Sequence, residues 1–62
     1  MNEAIVEQYE ELKVLVETLQ TDVLKNAQGN KSAGVRARKA LRDVKKAAAD
    51  LVKSSLTHDK SE

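Results

Sequence analysis

The sequence predicts an all-α fold: an antiparallel two-helix hairpin that dimerises into a four-helix bundle. Three observations lead there. Two long stretches repeat their apolar residues at helical spacing. A single Gly-Asn break separates them. Pro is absent and Gly occurs only at Gly29 and Gly34, so little else interrupts a chain rich in Ala, Leu, Glu, Lys, Gln and Arg, the good helix formers.

The first stretch predicts a helix over residues 3–27. Ile5, Tyr9, Leu12, Val16, Leu19 and Val23 follow one another at intervals of four and three residues, the pattern of a heptad seam. Val6, Leu15 and Leu24 widen that stripe, and a wide apolar face suits a bundle better than a simple zipper. Asn2 is placed to cap the start.

The stripe breaks at Asn26-Ala27-Gln28-Gly29-Asn30. A turn over residues 28–30 is expected, with Gly29 in the left-handed conformation that ends a helix and Asn30 capping the next one. Ser32 is a rival cap. A short connection between two long helices favours an antiparallel hairpin; one bent continuous helix is the alternative.

The second stretch predicts a helix over 31–56. Ala33, Ala37, Leu41, Val44, Ala48, Leu51 and Ser55 share one face, with Ala40, Val52 and Leu56 beside it. So many alanines permit close approach to a neighbouring helix. Each predicted helix is roughly 37–39 Å long at 1.5 Å per residue. Their apolar faces cover each other only in part, and dimerisation would cover the rest. The expected core and oligomer interface is therefore Ile5, Tyr9, Leu12, Val16, Leu19, Val23, Leu41, Val44 and Leu51. The hairpin forms one unit, 1–57, and the polar residues 58–62 read as a flexible tail.

Composition narrows the function. A chain of 62 residues holds one domain and a marginal core. It has no Cys and one His, so disulfides and thiolate metal sites are excluded and a zinc site has little to start from. There is no nucleophile–base pairing, phosphate-binding Gly-rich loop or metal-ligand spacing. The expectation is a protein that is not an enzyme and takes no cofactor, metal or small-molecule substrate. No apolar run approaches the roughly 18 residues of a membrane span, and the start of the chain lacks a secretory pattern. A cytoplasmic location without membrane contact is expected.

Charge is more informative. The net charge is +1, but its distribution is uneven. Residues 1–28 carry six acids (Glu3, Glu7, Glu10, Glu11, Glu17, Asp22) and two bases (Lys13, Lys25), a net of −4. Residues 29–57 carry eight bases and two acids (Asp43, Asp50), a net of +6. At 100° per residue, Lys31, Arg38, Arg42, Lys45, Lys46 and Lys53 fall opposite the apolar stripe of the second helix. Lys39 lies at the margin of that arc, and Asp43 and Asp50 lie beyond it, toward Arg36. A ridge of fixed positive charge suits phosphate contacts.

Lys31, Arg36 and Arg38 also crowd the start of the second helix, where positive charge is unfavourable by a few tenths to about 1 kcal/mol each. Local rules broken in this way mark functional sites; the acidic end of the first helix offers a plain structural compensation. Tyr9 lies on the apolar stripe and reads as core, not as a base-stacking platform. His58 reads as an exposed bystander. Gly34 costs about 1 kcal/mol inside a helix and either admits a close neighbour or is simply tolerated.

Lys25, the Gly29-Asn30-Lys31 turn, Ala33, and the Arg36 and Arg38 pair resemble the N-terminal region of the chlamydial-type, linker-histone-like bacterial DNA-binding proteins. The likeness continues through Val44, Lys46, Lys53, Ser55 and Leu56, and covers about residues 19–56. The resemblance implies binding to double-stranded DNA, chromosome compaction and a nucleoid location, without catalysis or cofactor. It supports Lys31, Arg36, Arg38, Lys46 and Lys53 as basic contacts and Gly29 and Asn30 as the turn. The chlamydial members carry a long Lys/Ala/Pro-rich tail, whereas this sequence closes on Lys60-Ser61-Glu62. Binding is therefore expected from the ridge of the hairpin itself: Lys31, Arg36, Arg38, Arg42, Lys45, Lys46 and Lys53 on the phosphate backbone, doubled in a homodimer. The competing expectation is a small helical protein–protein interaction module without nucleic-acid binding.

Overall fold

The computed structural model describes residues 1–61, without the side chain of Ser61, and contains two helices, α1 (Glu3–Ala27) and α2 (Lys31–Ser61). They fold back on each other as a hairpin 49 Å long. Among the described residues there is no strand.

Both helix starts are capped by asparagine. The Asn2 side-chain oxygen accepts from the Ile5 N–H at 3.2 Å, and that of Asn30 accepts from the Ala33 N–H at 2.9 Å. Asn30, and not Ser32, opens α2. The end of α1 closes as a Schellman motif. The Asn30 N–H reaches back to the Lys25 carbonyl at 3.0 Å, and the Gly29 N–H to the Asn26 carbonyl at 2.9 Å. Gly29 has a φ of +102°, which glycine adopts without the penalty a Cβ brings. Three residues thus reverse the chain and give partners to several of the backbone groups at both helix ends.

Helix α2 continues past the expected end at 56. The sequence offers no Gly or Pro to stop it there, and its last turns pack against the start of α1, where the Asn2 side-chain amide lies 3.2 Å from His58 Nδ1. Residues 58–61, expected as part of a flexible tail, are helical. Glu62, the end of that tail, lies outside the described residues. His58 is half-buried, not a bystander.

The seam between the helices is narrow. On α1 it takes Ile5, Gln8, Leu12, Leu15, Leu19 and Asp22, each half-buried. On α2 it takes Ala33, Gly34 and Ala37, which are buried, and then Ala40, Val44, Ala47 and Leu51. The tightest packing is at the turn, where Ala33 is 0% and Ala37 4% exposed. Three residues of the expected stripe are left out: Tyr9 is 54%, Val16 49% and Val23 41% exposed. Leu41 on α2 is exposed as well. One partner helix covers only about two positions per heptad, so a stripe three rows wide keeps one row in water.

Candidate nucleic-acid interface

Helix α2 holds its cations in register. Lys31, Arg38 and Lys45 recur every seven residues, as do Lys39, Lys46 and Lys53, and Arg42 lies between the two rows. The seam fixes the rotation of the helix: with Ala33, Ala37, Ala40, Val44 and Leu51 turned to α1, both rows stand on the far side. All seven side chains are exposed. Among the described residues none of them is held in an ion pair. From Lys31 to Lys53 the ridge runs roughly 33 Å at 1.5 Å per residue, which is close to ten base steps of duplex at 3.4 Å each.

Arg36 stands apart. Its guanidinium donates to the Asp22 carboxylate, with both Nε and Nη2 at 3.2 Å from Oδ1. That pair crosses from α2 to α1 beside the turn, on a side of the hairpin that also carries Asp43 and Asp50 at seven-residue intervals from Arg36. For this one residue, the acidic end of α1 compensates the charge at the start of α2. The Asp22 and Arg36 side chains are 26% and 55% exposed, so the pair contributes at most about 1 kcal/mol.

Gly34, the residue with two readings, has a close neighbour. The Asn26 side chain lies where a Cβ on residue 34 would stand, and Arg38 Nη1 borders the same space. The Asn26 amide donates to the Asn30 carbonyl at 3.3 Å. The sequence signals the turn but not this contact, because nothing local ties Asn26 to a glycine eight residues on.

The other features are plain. Among the described residues no three His, Cys, Asp or Glu side chains come together to hold a metal, and no helix is long and apolar enough to cross a membrane. Among the described residues, two open grooves stand out along the helix pair. One is lined by Asn2, Lys53, Ser54, Thr57 and His58. The other is apolar, where Leu12 meets Ala48, Leu51, Val52, Ser55 and Leu56.

The Gly-Asn-Lys turn lies within the stretch that resembles the linker-histone-like proteins, and the comparison with protein families points to the same family. The profile described as histone H1-like protein Hc1 matches residues 6–61. The chain belongs to that family. The match takes in most of α1 as well as α2, beyond the 19–56 over which the resemblance is visible by eye. Searches of curated proteins and of solved structures gave no match. The matched region runs from α1 through the turn at 28–30 to the end of α2.

Proposed function

We propose that this histone H1-like hairpin binds double-stranded DNA without sequence preference, along the outer face of α2, and that it does so as a homodimer in the bacterial nucleoid. The observation that carries the reading is the set of seven exposed cations on one helix face, none of them neutralised within the described chain. Neutralising phosphates releases condensed counterions, which supplies affinity independent of sequence. Lys and Arg bound to phosphate position a protein but read no bases. The ridge holds none of the Asn or Gln side chains that recognise adenine.

Dimerisation has its own support. The α2 side of the seam is largely alanine, while Tyr9, Val16, Val23, Leu41, Val52 and Leu56 remain 41–59% exposed. Fully burying a Val or Leu side chain contributes about 1.5–3 kcal/mol, and oligomerisation is one of the ways in which a chain this small gains the stability its own core lacks. Two ridges on one particle also raise affinity through multivalency.

The test is fluorescence anisotropy with a labelled random-sequence duplex. With four to six phosphate contacts, log K falls against log salt with a slope of about −4 to −5. The variant Arg38→Glu/Arg42→Glu/Lys45→Glu stays helical and loses binding. A folded wild-type dimer that ignores duplex even at low salt would reverse the reading in favour of a protein–protein interaction module.

A further inference from the structure

We infer that the homodimer bridges two DNA duplexes, because its two basic ridges stand on opposite sides of the bundle. This rests on the DNA-binding, dimeric reading above and adds the geometry that reading leaves open.

The hairpin has one apolar side. On α1, Tyr9, Val16 and Val23 form a row at seven-residue spacing, each one residue beyond Gln8, Leu15 and Asp22 of the seam. On α2, Gly34, Leu41 and Ala48 form the equivalent row, each one residue beyond Ala33, Ala40 and Ala47. Equivalent rows of two antiparallel helices flank each other on one side of the pair. The apolar groove between Leu12, Ala48, Ser55, Val52 and Leu56 lies along that side. The opposite side carries the Asp22–Arg36 ion pair. The contacts Asp22–Arg36 and Asn2–His58 set the register, and in it Tyr9 lies roughly level with Ala48, Val16 with Leu41 and Val23 with Gly34. At one end of the row the large Tyr9 thus stands beside the small Ala48, which leaves a hollow for a second copy; at the other end the Asn26 side chain already fills the space over Gly34.

Two copies can meet on this side in two ways. If each helix packs on its own counterpart, α1 with a net of −4 meets another −4, and α2 with a net of +6 meets another +6. If the two-fold axis runs parallel to the helices, α1 packs on the partner's α2, and opposite charges meet at both contacts. Charge selects the second arrangement, and every neighbouring pair of helices in it is antiparallel. The two α2 helices then occupy diagonal corners. Their outer faces point in opposite directions, so one duplex cannot lie on both. The rejected arrangement would put both ridges along one edge, where a single duplex could take them together.

The experiment holds a biotinylated duplex on beads and measures capture of a second, fluorescent duplex by the protein. Anisotropy on a single duplex and sedimentation of the protein alone run in parallel. Wild type is expected to capture the second duplex. Val16→Asp, at a position already in water in the single hairpin, is expected to keep its helical circular dichroism, become monomeric, still bind one duplex at low salt, and lose capture at least tenfold. An equimolar mixture of Val16→Cys and Leu41→Cys proteins is expected to form the mixed disulfide, while Val16→Cys alone does not cross-link. Cross-linking of Val16→Cys with itself, or capture by monomeric Val16→Asp, would overturn the arrangement. A wild-type dimer that binds single duplexes and captures no second one would sink bridging and leave DNA binding intact. Absence of single-duplex binding would remove both.

Discussion

A Cβ built on Gly34 would lie 2.9 Å from Cγ of Asn26. The Asn26 amide occupies that space while donating to the Asn30 carbonyl at 3.3 Å, the same carbonyl that accepts the Gly34 N–H at 3.2 Å. The glycine therefore serves the turn, and the turn sets where the ridge of α2 begins.

Gly34→Ala sets two effects against each other. The helix gains about 1 kcal/mol of propensity, and displacing Asn26 loses a hydrogen bond of about 1 kcal/mol. The single variant is expected to be nearly neutral. In an Asn26→Ala background the same change is expected to stabilise by about 1 kcal/mol. Chemical denaturation of the four proteins as a double-mutant cycle reads the difference. Equal gains in both backgrounds would mean that the glycine is merely tolerated.

The turn should be sensitive at two adjacent residues for different reasons. Nothing lies within 4 Å of a Cβ at Gly29, so Gly29→Ala meets no clash; its cost is the left-handed backbone alone, about 1–2 kcal/mol. Asn30→Ala removes the cap on Ala33 and costs about 1 kcal/mol. Asn30→Asp keeps the accepting oxygen and is expected to restore most of that loss in thermal unfolding at fixed protein concentration.

Gln8 is the one seam residue on α1 whose polar atom is buried without a partner: its Oε1 makes no hydrogen bond among the described residues. An unsatisfied buried acceptor costs about 1–3 kcal/mol. Gln8→Leu is expected to raise stability by about 1 kcal/mol or more with unchanged helicity. A loss of stability on this substitution would show that Gln8 has a partner in the assembled protein.

Salt dependence separates Arg36 from the ridge. Removing one phosphate-contacting cation reduces the magnitude of the salt slope by about 1. Arg42→Ala is expected to do so. Arg36→Ala, whose guanidinium is paired with Asp22, is expected to change the slope by less than about half of that. Equal changes would place Arg36 on the DNA alongside the ridge.

The parts of the fold legible in the sequence are those governed by local chemistry. Asn2 and Asn30 as caps and Gly29 as the left-handed residue follow from preferences that act within four residues, and α1 ends at Ala27, where the stripe breaks. The end of α2 was less legible, because Thr57–Lys60 lack apolar periodicity and their helix is supported from outside, through Asn2. Of the candidate site, the cation ridge followed from placing the bases at 100° per residue opposite the apolar stripe, with Lys39 at its margin. The engagement of Arg36 did not, because its partner Asp22 lies on the other helix, and only the hairpin register brings the two together.

The sequence by itself determined two helices, where they break, and that the charges of α1 and α2 oppose each other, since periodicity, caps and composition act along the chain. Only the tertiary structure decided which rows of a three-row stripe meet. A two-helix contact is too narrow for all of them, so Ile5, Leu12, Leu15 and Leu19 turned inward while Tyr9, Val16 and Val23 stayed in water. That choice rests on how closely the Ala33–Ala37 end of α2 approaches α1. It is a property of two surfaces in contact, which no single stretch of sequence contains.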